Sequence, residues 1–377
     1  MAALQIRLAG DSDRDSWDGY VRKHPEGSLF HLFGWRDIVN RTYGHPAYYL
    51  MAVEGNQTAG PPSGHGILAA RTTVGVLPLI HIKHRIFGSS LVSLPFLDGG
   101  GFLADRDDVE KSLLREGINL ARNIGATRME LRCERLLAGR NDVISPWGTE
   151  PTSPISIAER SDKVRMLLRL PDSAETLMKS FKAKLRSQVL KPLKEGMTSK
   201  TGGVELLADF YEVFSVNMRD LGSPVHSIEL MRHVLKEFPE RARIIVVYRS
   251  EEAVASALVV GFDKALCNPW ASSVRKYAAL SPNMLLYLRM LEFACDNGYR
   301  VFNFGRSTRG EGTYRFKEQW GAEPVPLYWY YISLDGKPPN PESAQKKRFE
   351  IAAHFWRKLP VVVTKLVGPR IRKHISL

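Results

Sequence analysis

The sequence predicts an α+β chain of two similar halves, each a mixed central sheet flanked by helices, followed by a basic helical tail. Three observations predict it. A run of meandering strands, a helix and a further strand occurs twice, although the residues themselves do not repeat. Between the two runs, Pro146, Gly148, Pro151 and Pro154 interrupt any regular element, so a boundary is expected between Asn141 and Ser161. From Ser343 onward, nine Lys and Arg stand against one Glu, which gives +8 of the chain's net +13. The expected organisation is therefore 1–160, 161–336 and a tail over 337–377. With 377 residues, 44% of them hydrophobic, the chain can fill a core in each half.

The first half opens with a short strand around Ile6, a polar helix from Asp13 to Arg22, and a helix from about Phe33 with Trp35, Ile38 and Val39 at helical spacing. Tyr48 to Glu54 is strand-like. Gly55 to Gly66, containing Gly60-Pro61-Pro62-Ser63-Gly64, is a turn-rich loop. The apolar or alternating runs Ile67 to Ala70, Thr73 to Ile82 and Ser89 to Leu94 predict adjacent antiparallel strands. Asp107 to Asn123 is a helix ended by Gly125, and Arg128 to Cys133 is the next strand. In the second half Val164 to Leu170 is a strand, and Ser173 to Glu195 is basic and helical, interrupted at Pro192 and stopped at Gly196. Helices over Asp209 to Leu221 and Ile228 to Phe238 precede three strands, Arg243 to Tyr248, Ala253 to Phe262 and Ala265 to Ser273. Ser281-Pro282-Asn283 opens a helix with a cap residue followed by proline, and Gly298 ends it. A strand over 301–304, a helix over 313–320 and a strand over 325–332 complete the set.

Several classes of function are disfavoured. No run of about 20 apolar residues exists, and the N-terminus meets acidic residues before an apolar signal core can form, so the chain is expected in the cytoplasm. Cys133, Cys267 and Cys295 are far apart and lack ligand spacing, so neither a metal nor a disulfide framework is expected. His81 and His84, three apart in a strand, point to opposite faces and do not suggest a shared metal. The basic charge is compatible with nucleic acid, acidic lipid headgroups, phosphorylated substrates or a solvated helix face, and charge alone does not choose.

The densest signal is Val301 to Gly321. Val301, Phe302 and Phe304 make an apolar strand that Gly305 is expected to end, and Arg306 to Gly310 is a polar loop. Tyr314, Phe316, Lys317 and Trp320 then fall on a helical repeat closed by Gly321. The segment resembles the FemAB-like branch of the acyltransferase superfamily, whose members carry two GNAT (acyl-CoA N-acyltransferase) folds. The likeness rests on Phe304-Gly305-Arg306-Ser307, Gly312-Thr313-Tyr314-Arg315-Phe316-Lys317 and Trp320-Gly321. Ser28-Leu29-Phe30-His31 with Trp35, and Leu91 to Phe96 with Asp98-Gly99-Gly100-Gly101, extend it over most of the chain. It is nearest to the subgroup associated with exopolysaccharide, holdfast and PEP-CTERM/exosortase gene clusters. The resemblance implies tandem GNAT-like domains and an N-acyltransferase, most simply an N-acetyltransferase, acting on an amino sugar or other amine of a polysaccharide precursor. Acetyl-CoA or another acyl-CoA would be the co-substrate; the alternatives are an aminoacyl-tRNA-dependent peptidyl or aminoacyl transferase and a non-catalytic membrane-surface regulatory module of the same fold.

Acyl transfer needs a neutral amine, a polarised carbonyl and room for the leaving group. The resemblance assigns Lys317 to oxyanion stabilisation, with a surface lysine beside Glu318 as the alternative. Tyr314, three residues earlier on the same face, would orient a leaving group or pack as core. Arg306 and Ser307 follow a strand end, where an arginine suits a phosphate or a structural ion pair. Glu311 is a weaker candidate base. Asp98 beside Gly99 and Gly100 would bind an ammonium or sugar hydroxyls, or form a plain turn; His31 and Trp35 would face a substrate ring or the core. Ordinary GNAT enzymes hold pyrophosphate on a glycine-rich loop, whereas Ser273 to Asn283 has no glycine. Arg275, Lys276 and the groups after Ser281, Asn283 included, are the candidate phosphate holders. The basic stretch Phe181 to Lys200 would contact a phosphate-bearing substrate or form a solvated face. In the tail, Phe349, Ala352, Ala353 and Trp356 are spaced for an amphipathic helix. That helix would lie on an anionic membrane at the inner face of the cytoplasmic membrane, dock on the second domain, or hold a cyclic dinucleotide effector.

Overall fold

The computed structural model describes residues 3–55, 71–84, 88–138, 155–337, 339 and 343–376. The expected loop over Gly55 to Gly66 beyond its first residue, the strand over Ile67 to Ala70 and most of the Asn141 to Ser161 boundary lie outside the described residues. The chain forms two compact units, one of residues 1–161, 327–341 and 376–377, the other of 162–326 and 342–375.

In the first unit, β1 (Ala3–Leu8), α1 (Arg14–Lys23), α2 (Gly34–Tyr43), β2 (Leu50–Gly55) and β3 (Arg71–Leu77) follow in order. The run predicted as a single strand from Thr73 to Ile82 is two strands in different sheets, because Pro78, which lacks an N–H, separates β3 from β4 (Ile80–His84). After β5 (Gly88–Val92) and β6 (Leu103–Ala104), α3 (Asp107–Asn123) has acidic residues in its first turn and buries Val109, Leu113, Leu114, Ile118 and Ala121. This helix is the crossover that lets β7 (Arg128–Cys133) pair parallel to β5. β8 (Ser156–Arg160) is the last strand before the second unit.

The second unit begins with β9 (Lys163–Arg169). The basic helical stretch is interrupted at Phe181 rather than at Pro192. α4 (Ala174–Ser180) is capped by Ser173 Oγ, which accepts from Thr176 N, and α5 (Ala183–Lys194) carries Pro192 in its last turn. The buried Phe181 ring, edge-on to Trp320 at 5.6 Å, fixes the break. β10 (Met197–Gly202) was not foreseen: of its six residues only Met197 is buried, so no apolar run marks this edge strand. α6 (Leu207–Leu221), α7 (Ile228–Glu237), β11 (Ala242–Arg249), β12 (Glu252–Phe262), β13 (Ala265–Ser273), α8 (Pro282–Asp296), β14 (Val301–Thr308), α9 (Gly312–Glu318) and β15 (Glu323–Pro326) complete a seven-stranded sheet of order β10-β11-β12-β13-β14-β9-β15. All its neighbours are antiparallel except β13 and β14, which α8 connects.

The strand expected to complete the second half is split. β15 stays there, while β16 (Tyr328–Ser333) lies between β7 and β8 in the first unit's sheet. Ser376 also belongs to the first unit, where its carbonyl accepts from Phe96 N at 2.7 Å and from Arg132 Nη2 at 2.8 Å. The tail between them forms α10 (Ser343–Trp356) and α11 (Val361–Arg372), packed within the second unit. Ala353 sits against Gly222, where an added Cβ would come within 2.7 Å, and Gly368 sits against Val225. Of the environments open to the tail, the structure thus includes docking on its own second unit.

Candidate active site

β13 and β14 pair over only three residues each, Ala265 to Cys267 with Val301 to Asn303. Both strands then bulge. Asn268 and Pro269 together oppose Val259 of β12, and Phe304 and Gly305 together oppose Met166 of β9. Proline in a central strand is tolerated at such a point because a bulge leaves a residue out of the ladder. Beyond the paired bulges β13 and β14 no longer pair with each other, so backbone groups of Asn268–Ser273 and Phe304–Thr308 border an opening in the sheet.

The bulge on β14 is built from its own residues. Gly305 adopts φ +75°, a conformation that other L residues rarely take, and its N–H donates to Asn303 Oδ1 at 2.9 Å. The strand therefore continues through Gly305 to Thr308, where the sequence suggested an end and a loop. Lys317, buried on α9, donates from Nζ to the carbonyl oxygens of Gly305 at 3.1 Å and Arg306 at 2.8 Å. Its charge is held against the bulge. Tyr314, one turn earlier, is half-buried and packs on the unit's core, and Glu311 is the exposed N-cap residue of α9.

Ser307 Oγ and Asn268 Oδ1 are buried and have no hydrogen-bond partner among the described residues. They stand on the two strands that border the opening. Buried polar atoms without partners are uncommon in folded proteins, and where strands part they suit a polar chain laid between them. Asn268 Nδ2 is 3.5 Å from the hydroxyl of Tyr287, whose ring stacks on Phe304 at 5.5 Å and 11°. Burial pushes the pKa of that hydroxyl up to about 12, so it stays protonated and neutral while accepting from Asn268. Asn268 and Tyr287 were not anticipated; the signal for the first was Pro269 inside an otherwise regular strand.

At the start of α8, Arg275 lies in a short 3-10 turn and is exposed. Ser281 does not cap the helix as expected: it is left-handed at φ +58°, and its side chain makes no cap bond. Pro282 has no N–H to offer, which leaves the Asn283 amide as the next in the first turn. Lys276 is committed to Glu252, Nζ to Oε1 at 2.7 Å, and this bond holds the Glu252 carboxyl below its ordinary range. A cavity of about 460 Å³ in the same unit is lined by Leu168, Phe181, Gln188, Gln319 and Trp320, with Lys182 and Lys184 at its edge. That places part of the basic stretch beside a concave surface.

Asp98, Gly99, Gly100, His31 and Trp35 belong to the first unit. His31 is buried with its Nδ1 2.9 Å from Ser28 Oγ, and Trp35 is buried with Nε1 donating to Leu29 O at 2.8 Å. A Cβ on Gly99 would meet the Phe30 ring at 2.7 Å, and one on Gly100 would meet Leu94 Cβ at 2.7 Å, so these glycines allow close packing of the protein on itself. The same region holds a group missed in the sequence. Arg132, fully buried, donates to the carbonyls of Leu94 and Leu97 and to Glu130, and its guanidinium lies 4.7 Å from the Trp329 ring centroid. Among the described residues no cluster of three or more His, Cys, Asp or Glu could hold a metal ion, and no helix is long and apolar enough to cross a membrane.

Residues 179–318 match the family model of the acetyltransferase (GNAT) domain. Among solved structures, the chain is similar to FemX at 14% identity and a TM-score of 0.60, over 86% of this chain and 96% of that one. A tandem GNAT protein from the clavulanic acid biosynthesis pathway matches at 11% identity and 0.52, over 89% of this chain and 99% of that one. The C-terminal domain of a putative lysylphosphatidylglycerol synthetase from Agrobacterium fabrum matches at 12% identity and 0.52, over 85% of this chain and 91% of that one. No curated protein sequence matches. At these identities the likeness is one of fold.

Proposed function

We propose that this chain, which carries a GNAT domain over residues 179–318 and shares its fold with FemX and a tandem GNAT protein, is a FemAB-like N-acyltransferase. Its acceptor is an amino sugar or another amine of exopolysaccharide or cell-envelope synthesis, and acetyl-CoA is the donor. The opening between the bulged ends of β13 and β14 carries the reading. An amide-bearing donor arm fits there because the strand edges and the side chains of Asn268 and Ser307 offer it hydrogen-bond groups. Arg275 and the Asn283 amide at the start of α8 would hold the donor's phosphates; the Lys276 charge is shared with Glu252.

The chemistry is direct. The neutral amine attacks the thioester carbonyl, an N–C bond forms, the C–S bond breaks, and the proton lost by nitrogen leaves with the thiolate or to solvent. Backbone N–H groups at the opening polarise the carbonyl, a role that needs them fixed beforehand. Lys317 acts as a positioning residue: by holding the carbonyls of Gly305 and Arg306 it sets the direction of the groups at the bulge. Its positive charge also favours the oxyanion. Calorimetry with acetyl-CoA and with free coenzyme A tests the proposal, and heat from neither would remove it. An aminoacyl-tRNA donor is the second reading, favoured by Lys182 and Lys184 beside the cavity; protection of charged but not uncharged tRNA from RNase would select it.

A further inference from the structure

The last helix of the tail is amphipathic in the inverse sense. On α11 the residues turned into the protein are Thr364 and Gly368, both buried, with Lys365 paired to Glu212 and Arg372 Nε 3.0 Å from His226 Nε2. The residues turned outward are apolar: Val362 is 77% exposed and Leu366 64%, one turn apart, with Val363 and Val367 beside them. On α10, Ile351 at 60% and Phe355 at 65% continue the same pattern, one turn apart. Of the eleven exposed large apolar side chains among the described residues, these six lie on two adjacent helices. A surface helix ordinarily buries its apolar stripe, so a stripe left outward on a docked helix marks a contact with another apolar phase.

Charge identifies that phase. Ser343 to Leu377 contains nine Lys and Arg against one acidic residue, the exposed Glu350 of α10. Lys365 and Arg372 are engaged inward; Arg357, which also donates to the Leu221 carbonyl at 3.3 Å, and Lys358 are exposed at the turn between the helices, Arg370, which donates back to the Leu366 carbonyl at 2.8 Å, is exposed at the margin of the apolar residues, and Lys373 follows α11. A second copy of this face would set cations mainly against cations, with Glu350 of α10 the single acidic residue of the two helices. We propose that the outward face of α10 and α11 seats the protein on an anionic lipid bilayer, with Phe355, Val362 and Leu366 at the headgroup boundary and Arg357, Lys358 and Arg370 on lipid phosphates. This goes beyond the acyl-transfer reading and does not depend on it.

Co-sedimentation of the full chain with phosphatidylcholine vesicles, with and without about one third phosphatidylglycerol, tests it. Binding is expected to the anionic vesicles, to weaken with added salt, and to be weak for phosphatidylcholine alone. Arg357→Gln with Lys358→Gln should lower partitioning about five-fold per cation, roughly 25-fold together. Val362→Gln with Leu366→Gln, at positions whose side chains touch mainly solvent, should abolish it while circular dichroism and the thermal midpoint stay unchanged. Absence of binding to anionic vesicles overturns the proposal, as does binding that the Val362/Leu366 pair leaves intact. A dimer in sedimentation velocity that this pair dissolves would make a second copy the occupant and overturn it equally.

Discussion

Replacing Lys317 by methionine keeps the length of the side chain and removes only the charge and its donors. In the folded protein the ammonium donates to the carbonyls of Gly305 and Arg306 at 3.1 and 2.8 Å. A hydrogen bond from a charged donor contributes about 1.5–3 kcal/mol, so the two together amount to roughly 3–6 kcal/mol. Against this stands the desolvation of a buried ammonium, which methionine relieves. A net loss of about 2–3 kcal/mol follows, concentrated at the bulge because both acceptors lie there. Amide hydrogen exchange of peptides covering Asn303 to Thr308 reads it locally, and protection there should fall by roughly 30- to 150-fold. Gly305→Ala supplies the cross-check. At φ +75° the alanine costs about 1–2 kcal/mol, and if Lys317 acts through the bulge the two losses should be less than additive in the double variant. Unchanged protection in Lys317→Met, or strict additivity with Gly305→Ala, would refute the claim that this lysine fixes the bulge.

Ser307→Ala removes a buried hydroxyl that has no partner among the described residues, so the thermal midpoint should hold or rise, while acetyl-CoA affinity by calorimetry falls about five- to tenfold. Arg132→Met strips the partner from Glu130 and the donors from Leu94 and Leu97; about 3–5 kcal/mol of stability should be lost, seen as a lower urea midpoint followed at first-unit tryptophans. His226 is fully buried beside the Arg372 guanidinium, and burial first, then that charge, hold its pKa well below 6.5. The folded state therefore keeps it neutral while the unfolded chain binds a proton, so stability should be level above about pH 6.5 and fall below it by up to about 1.4 kcal/mol per pH unit. His226→Gln should flatten that part of the urea-midpoint profile.

What was legible in the sequence follows a physical divide. α3 was bounded at Asp107 and Asn123 with Gly125 as its end, and its acidic first turn and apolar stripe are local signals of the same kind. The run 325–332 was equally visible as one strand of the second half, yet its division and the membership of Tyr328 to Ser333 in the first unit's sheet depend on long-range pairing with Arg128 to Cys133, which no local pattern encodes. The site divides in the same way. Gly305 and Lys317 stood out from their motif, but the motif suggested a strand end where there is a bulge, because a glycine at positive φ serves both. Asn268 was overlooked since its meaning lies in standing where β13 parts from β14, a long-range arrangement that no local pattern encodes.

The tail carries this reasoning one step further. Its periodicity was correctly helical, but periodicity gives only the existence of an apolar face and leaves its direction open. Direction is decided by what the neighbouring surface accepts. Gly222 admits a close approach only by something as small as Ala353, Val225 leaves room only for Gly368, and Glu212 and His226 draw in Lys365 and Arg372. Those four contacts orient the helices by their small and polar residues, and geometry then leaves Val362 and Leu366 outward. A face turned out by specific contacts differs from one left over by poor packing: the seating of the helices should persist in Val362→Gln with Leu366→Gln, which keep the same protected amides, and be lost in Gly222→Leu, which displaces α10 from its seat.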